Sequence, residues 1–178
     1  MRVAVFVCVA AVVLAADQLT KWLAVAHLSG GRRVPVFGQL LSLRLLYNPG
    51  ASLGMGSGMT WVISLVAAAA CVALCVLAAV TRSMSWSVAF ALAFGGAAGN
   101  LIDRVANATG FLDGKVIDFL DYGWSVGNVA DIALVAAAAM IAVLIMRGTP
   151  FGAPRPEDGP GADDADDIRN GSGRDSAR

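Results

Sequence analysis

Four stretches of the chain are apolar over about the length that a helix needs to cross a bilayer. They approach the ~20 apolar residues that span the hydrocarbon core, and they cover residues 3–28, 59–80, 86–104 and 126–146. Asp17 and Lys21 interrupt the first stretch, whereas the second contains no acidic or basic residue. The pattern predicts an all-α polytopic membrane protein. Its four transmembrane helices would leave both termini on the same side of the membrane.

The N-terminal stretch allows two interpretations. Arg2 and the apolar run to Ala16 resemble a cleavable secretory signal, and removal of that signal would leave three spans. Apolar residues continue beyond the polar patch, however, from Trp22 to Ala26. We therefore favour an uncleaved first helix.

Two long loops connect the spans on the side opposite the termini. In the first, residues 41–47 place Leu or Tyr at every second position, which is the period of a β-strand. Residues 34–37 are the expected partner strand, with a turn at Gly38-Gln39. Residues 105–125 form the second loop. The pattern therefore predicts a small β-hairpin outside the helices.

The composition fits a membrane protein and separates one segment from the rest. The chain is 57% hydrophobic with a mean hydropathy of +0.69, against about 45–50% apolar residues in a soluble domain. Residues 151–178 hold seven acids and four arginines, although the net charge of the whole chain is zero. We predict a disordered acidic tail over residues 148–178. No basic footprint for nucleic acid is present.

Lys and Arg counting does not orient the spans. Near the spans, the basic residues number four on each side, so the positive-inside rule favours neither arrangement. They are Arg2, Arg82, Arg147 and Arg155 on the side of the termini, and Arg32, Arg33, Arg44 and Lys115 in the two large loops. The three cysteines, Cys8, Cys71 and Cys75, lie inside apolar stretches. We interpret them as small packing residues, without disulfide or zinc.

Ionisable side chains inside apolar spans are costly and mark candidate functional sites. Four clusters qualify, and those that share a helix face are spaced by three or four residues: Asp17 with Lys21; Asn100 with Asp103 and Arg104; Asn128 with Asp131; and Asp118 in an apolar segment before the last span. Gly95 and Gly99 add a surface for close helix contact. Asp17–Lys21 and Asp103–Arg104 each carry a counter-charge, which favours structural ion pairs.

Asp118 and Asp131 have no such cation and are expected at one depth, near one membrane surface. Two such carboxyl groups suit an aspartyl dyad, in which mutual repulsion keeps one proton on the pair. One carboxylate then acts as base on a water and the other as acid. A proton or cation pathway through Asp17, Asp103 and Asp131 uses similar residues, but it predicts polar groups spread through the membrane depth. A purely structural subunit would not need the unpaired acids.

Other nucleophile chemistries find little support in the sequence. His27, the one histidine, lies at the end of a span, and neither Lys21 nor Lys115 has a serine at helical spacing. The glycines of residues 50–58 lack the Gly-Lys-Ser/Thr ending of a phosphate-binding loop.

Taken together, the polar clusters resemble the signal peptidase II family of lipoprotein signal peptidases. The resemblance covers residues 1 to about 147, and its stretches occur in the family's order: Asp17-Gln18-Leu19-Thr20-Lys21, Asn48-Pro49-Gly50-Ala51, Gly99-Asn100-Leu101-Ile102-Asp103-Arg104, Val116-Ile117-Asp118-Phe119 and Asn128-Val129-Ala130-Asp131. Each stretch alone is weakly specific, whereas five in order are specific. Two departures are Leu53, where Phe is expected, and Ile132, where Ser is expected.

The resemblance implies a two-aspartate endopeptidase that uses no metal or other cofactor. Its catalytic pair falls on Asp118 and Asp131, and its supporting positions fall on Asp17, Lys21, Asn48, Gly50, Asn100, Asp103, Arg104, Asn128 and Ala130. The implied substrate is a diacylglyceryl-modified prolipoprotein, cut on the amino side of the lipidated cysteine. A monomer in the bacterial cell membrane is expected, in contact with membrane lipid. Both termini would be cytoplasmic, and a small sheet cradle formed from the first loop would be extracytoplasmic.

Overall fold

The computed structural model describes residues 1–38, 40–50 and 56–152, and within them the four predicted spans are helices. These are α1 (Arg2–Leu28), α2 (Thr60–Val80), α3 (Met84–Ala106) and α4 (Val129–Met146). Each is long and apolar enough to cross a membrane. The 21 residues of α2, for example, extend about 32 Å at 1.5 Å per residue. The predicted four-helix membrane architecture is confirmed.

Helix α3 is the centre of the bundle and contacts each of the other three helices. Much of its buried face consists of alanine and glycine. A Cβ atom on Gly95 would lie 2.7 Å from the side chain of Val13 on α1, and one on Gly96 would lie 2.6 Å from the carbonyl oxygen of Ala130 on α4. The absence of side chains therefore lets α1 and α4 approach the α3 backbone directly, as in other membrane helix pairs.

The two long loops combine into one antiparallel sheet of four strands within the described residues. Strand β1 (Arg33–Phe37) pairs with β2 (Leu41–Asn48), which pairs in turn with β3 (Val116–Asp121) and then β4 (Val126–Gly127). The predicted hairpin of the first loop is confirmed, although Gln39 of its turn lies outside the described residues. The sequence predicted no strand in the second loop. Strand β3 of this loop nevertheless joins the sheet by pairing with β2, where Leu46 lies opposite Asp118.

The sheet packs against the C-terminal end of α1. Ala24 and Leu28 of that helix form a buried cluster with Phe119 of β3. Leucines of β2 and β3 pack around the cluster. This apolar contact covers the end of α1 and fixes the sheet on the bundle.

The last helix begins three residues later than the sequence predicted. Residues 126–127 pair with β3 instead, and Asn128 has an extended backbone and caps the helix. Its side chain accepts from the amide of Asp131, while the Asp131 side chain accepts from the amide of Asn128. This reciprocal capping box satisfies amides that the helix itself leaves without partners, so the helix starts at Val129.

The predicted start of the tail at residue 148 is wrong. The indole of Trp86 donates to the carbonyl oxygen of Thr149 at 3.1 Å. The carbonyl of Phe151 accepts from the hydroxyl of Thr81 at 2.9 Å and from the amide of Arg82 at 3.0 Å, and its ring packs edge-on against Trp86. Residues 148–152 thus belong to the folded body. Residues 153–178 of the predicted tail lie outside the described residues.

Candidate active site

Asp118 lies on β3 between two asparagine side chains. Only 2% of its surface is exposed. The amide of Asn48 donates to Oδ2 of Asp118 at 2.9 Å, and the amide of Asn128 donates to Oδ1 at 2.7 Å. The side-chain oxygen of Asn48 accepts from the amide of Gly50, and that of Asn128 accepts from the amide of Asp131. Both asparagines therefore present their NH₂ groups to Asp118.

Asp131 is the third residue of α4 and is partly exposed. Its Oδ1 accepts from the side-chain amide of Asn100 at 3.0 Å, and its Oδ2 accepts from the backbone amide of Asn128 at 3.0 Å. The first turn of a helix stabilises negative charge. Asp131 is therefore held as a hydrogen-bond acceptor at the helix end nearest the sheet.

Asn128 connects the two aspartates. Its NH₂ group donates to Asp118 and, at 3.0 Å, to the side-chain oxygen of Asn100. Asn100 in turn donates to Asp131. Two asparagines thus link carboxyl groups that come from a strand and a helix, and Asn128 is completely buried.

The environment of Asp118 favours its protonated form. Burial raises the pKa of this carboxyl group from 3.8 to about 6, and the negative charge of Asp131 acts in the same direction. The hydrogen bonds from Asn48 and Asn128 and the charge of Lys21 oppose the rise. A buried carboxyl group that keeps its proton under mildly acidic conditions is suited to act as a general acid.

Lys21 is the centre of a second, fully buried cluster. Its ammonium group lies 2.8 Å from Oδ2 of Asp17, as predicted, and 2.8 Å from Oδ2 of Asp103. It also donates to the side-chain oxygen of Asn100 at 3.0 Å. The carbonyl of Gly99 is a fourth and longer contact at 3.5 Å, so each of the three N–H bonds of the ammonium group has an acceptor.

The predicted pairing of Asp103 with Arg104 is wrong. Asp103 pairs with Lys21 on α1, whereas the guanidinium group of Arg104 donates to the carbonyl of Gly50 at 2.9 Å and to the carbonyl of Asn100 at 3.3 Å. Consecutive residues on a helix do not face each other. Asp103 therefore faces α1, and Arg104 faces the turn after β2.

The cluster around Lys21 reaches both segments that carry the aspartates. Asp17 accepts from the backbone amide of Ala130 in the first turn of α4 at 2.9 Å. Asp103 accepts from the backbone amide of Ile117, next to Asp118 on β3, at 3.0 Å. The ion pairs thus hold the strand and the helix in place, and Ala130 takes part through its backbone.

All the predicted site residues lie in this one network, but the sequence interpretation overlooked several that complete it. The side chain of Gln18 donates to Asp17 at 3.1 Å and to Asp103 at 3.3 Å. Two hydroxyl groups of α2, on Thr60 and Ser64, bond to loop carbonyls. Gln18 lies inside one of the stretches that resemble the family, and a polar side chain within an apolar span could have marked it as a site residue. An isolated Thr or Ser in an apolar helix does not indicate a site residue.

Two predicted departures from the family pattern lie at different places. Ile132 follows Asp131 on α4 and is 52% exposed, and Leu53 lies outside the described residues. Among the residues that the structure describes, no group of three or more His, Cys, Asp or Glu side chains could hold a metal ion.

The chain is similar to known proteins over most of its length. Residues 9–147 match the family model described as signal peptidase (SPase) II. The chain is 65% identical over 150 residues to the lipoprotein signal peptidase of Bifidobacterium longum, covering 84% of this chain and 82% of the relative. It is 41% identical over 151 residues to that of Mycobacterium avium, covering 84% and 83%.

The fold is shared with a solved bacterial membrane enzyme, whose structure was determined by the in meso method at 2.3 Å resolution. The TM-score is 0.72 at 27% identity, covering 84% of this chain and 92% of the other. The family match over most of the chain, together with four helices that can span a membrane, leads to one conclusion. The chain belongs to the signal peptidase II family of aspartic peptidases and cleaves the signal peptides of prolipoproteins.

Proposed function

We propose that Asp118 and Asp131 are the catalytic pair of this peptidase, with Asp118 as the acid and Asp131 as the base. The observation that carries the proposal is the position of Asn128, which donates to Asp118 at 2.7 Å and caps the helix turn that holds Asp131. Burial keeps the proton on Asp118 up to about pH 6, while the N-terminal turn of α4 stabilises a carboxylate at Asp131.

In the first step, a water molecule attacks the carbonyl carbon of the scissile peptide bond. Asp131 takes a proton from this water, and Asp118 gives its proton to the carbonyl oxygen. The product is a neutral tetrahedral diol. Asp131 is then protonated and Asp118 is ionised.

In the second step, the bond between carbon and nitrogen breaks. Asp131 gives its proton to the leaving amine, and Asp118 takes a proton from one hydroxyl of the diol as the new carboxyl group forms. Both residues return to their starting protonation states. One carboxyl group cannot serve as acid and base at once, so each residue is required.

We propose that the substrate is a diacylglyceryl-modified prolipoprotein, cleaved on the amino side of the lipidated cysteine. Asp131 is the third residue of α4, which puts it about 5 Å from the end of the helix at 1.5 Å per residue. Asp118 lies on the adjoining strand. A cysteine anchored in the bilayer by its acyl chains would hold the neighbouring peptide bond at this depth.

We also propose that the sheet and the aspartates face the extracytoplasmic side and that both termini are cytoplasmic. The N-terminus and residues 147–152 lie at the end of the bundle away from the sheet. A signal peptide is removed from a translocated protein, so the reacting groups must face outward. We also propose a monomer as the active unit, because one chain supplies both carboxyl groups and the asparagines that bond to them.

The dyad is tested with purified enzyme and a lipidated prolipoprotein in lipid vesicles. Asp118→Asn and Asp131→Asn should each lower the cleavage rate by at least about 100-fold, the scale of a lost general acid or base. Asp113→Asn is the matched control, because Asp113 lies in the loop before β3 and bonds only to the neighbouring Thr109 and Gly110 among the described residues. Near-full activity of either dyad variant, with the control also active, would remove the proposed mechanism.

A further inference from the structure

The turn after β2 positions one of the two donors to Asp118. Asn48 starts this turn, and its side-chain oxygen accepts from the amide of Gly50 at 2.9 Å. This bond fixes the direction of the side-chain NH₂ group, which donates to Oδ2 of Asp118 at 2.9 Å. The conformation of the turn therefore decides whether Asn48 reaches Asp118.

Two helices hold the turn through its carbonyl groups. The hydroxyl of Thr60 donates to the carbonyl of Pro49, and the guanidinium group of Arg104 donates to the carbonyl of Gly50 at 2.9 Å. Thr60 is the first residue of α2 and only 5% exposed. The middle residue of the turn is thus tied to α2 and the last residue to α3.

Helix α2 has no acidic or basic residue and takes no part in the cluster around Lys21. Its polar contacts with the site region run through hydroxyl groups on one face. Ser64 lies one helical turn after Thr60, is completely buried, and reaches the carbonyl of Leu112 at 2.8 Å in the loop before β3. Thr60 is the member of this pair that acts on a segment in direct contact with Asp118.

We propose that Thr60 is a positioning residue for the peptidase reaction, because its hydroxyl holds the Asn48–Gly50 turn so that Asn48 donates to Asp118. This inference rests on the proposed role of Asp118 as a catalytic acid. Within the part of the chain that the structure describes, Thr60 does not bond to Asp118 or Asp131. Its loss should therefore change the properties of Asp118 without removing either carboxyl group.

The hydrogen bond from Asn48 opposes the rise in the pKa of Asp118 that burial causes. When the turn loosens and this bond weakens, the pKa should rise above about 6. The charged or titratable groups that act on Asp118 from the other elements are Asp131 on α4, Lys21 on α1, Arg104 on α3 and Tyr122 after β3. A substitution at Thr60 changes none of them.

The test compares Thr60→Val, which keeps the shape and removes the hydroxyl, with Thr60→Ser, which keeps the hydroxyl. Thr60→Val should lower the maximal kcat/KM about fivefold to tenfold, as expected for one lost hydrogen bond, mainly through kcat. It should also move the alkaline limb of the kcat/KM profile to higher pH. Thr60→Ser should keep most of the wild-type rate, and the alkaline limb of its kcat/KM profile should lie at the wild-type pH.

Thr81→Val is the matched control at the other end of α2. Thr81 is 2% exposed and its hydroxyl donates to Phe151, so the control removes an equally buried hydroxyl far from the turn. It should lower the melting temperature and leave the pH profile unchanged. If Thr60→Val does not fold, Thr60→Ala is used, because it removes the hydroxyl without placing a methyl group against the Pro49 carbonyl.

Asp118→Asn is assayed in parallel to separate two kinds of failure. If Asp118→Asn is inactive while the hydroxyl-free Thr60 variant has the wild-type rate and pH profile, the role of Thr60 is overturned and the dyad stands. The role of Thr60 is also overturned if the Thr60 and Thr81 variants both have a lower melting temperature but keep the wild-type rate and pH profile. If Asp118→Asn is active, the dyad fails and the role of Thr60 fails with it.

Discussion

The ammonium group of Lys21 lies 3.0 Å from the side-chain oxygen of Asn100. Because that oxygen is occupied, the NH₂ group of Asn100 points to Asp131 and donates to it at 3.0 Å. The buried ion pairs and the proposed catalytic pair are therefore parts of one hydrogen-bonded network. Stability and activity should respond together when its centre is changed.

Lys21→Met should destabilise the protein strongly, because Asp17 and Asp103 would then be buried without their shared cation. Breaking a buried pair by removing one partner costs about 3–5 kcal/mol. The measurement is thermal unfolding in detergent, with Lys115→Met as the control, since Lys115 is exposed at the same end of the bundle. An unchanged melting temperature for Lys21→Met would contradict the structural role of the cluster.

The activity should fall as the pH rises through about 6. The alkaline limb of kcat/KM reports the free enzyme's essential acid, and burial raises the pKa of Asp118 to about 6. Asp113→Asn should keep this limb, because Asp113 does not bond to the network. The profile should be measured from about pH 5 to about pH 8, which brackets the pKa of a tuned catalytic carboxyl group. If kcat/KM stays constant over this range, Asp118 is not the essential acid.

The same pKa fixes the sign of a stability effect. The pKa of Asp118 in the folded protein is above its ordinary value of 3.8, so the folded state binds the proton more tightly than the unfolded state. The stabilisation from protonated Asp118 is fully present below about pH 4 and is lost as the pH rises through about 6. Unfolding followed against pH should show this loss in the wild type and not in Asp118→Asn. Parallel curves would contradict the assignment.

The segment after α4 should stabilise the end of the bundle away from the site. Phe151→Ala removes ring contacts with Trp86 and Phe90 and should cost about 1–3 kcal/mol, less than a fully buried Phe→Ala change. Phe111→Ala is the control, since Phe111 is 70% exposed. Truncation after residue 152 should keep both melting temperature and cleavage activity. If the Phe151→Ala variant is as stable as the Phe111→Ala control, the segment after α4 does not contribute to the stability of the bundle.

The proposed orientation can be read by thiol labelling of intact cells. Ser29→Cys lies after α1 at the end near the sheet, and Ser172→Cys lies in the sequence after residue 152. Both are made in a background without Cys8, Cys71 and Cys75. A membrane-impermeant reagent should label position 29 and leave position 172 unlabelled until the cells are opened. The reverse result would put the aspartates on the cytoplasmic side and contradict the proposed orientation.

The sequence by itself determined the four spans and the polar clusters that are candidates for the functional site. A helix that crosses lipid needs about 20 apolar residues, and this requirement is local, so it is readable along the chain. Polar residues three or four apart share a helix face, which correctly predicted the contact of Asp17 with Lys21. The alternation in residues 41–47 predicted a strand for the same local reason.

Only the tertiary structure decided which groups meet across the helices. Asp103 pairs with Lys21 rather than with its neighbour Arg104, because the packing of α1 on α3 chooses the partner. Asn128 caps α4 and reaches Asp118. This contact depends on β3 pairing with β2, whose Asn48 lies 70 residues before Asp118 in the chain. Thr60 gives no sequence signal at all. Each of these contacts joins segments far apart in the chain, and local periodicity holds no information about which distant segments pack together.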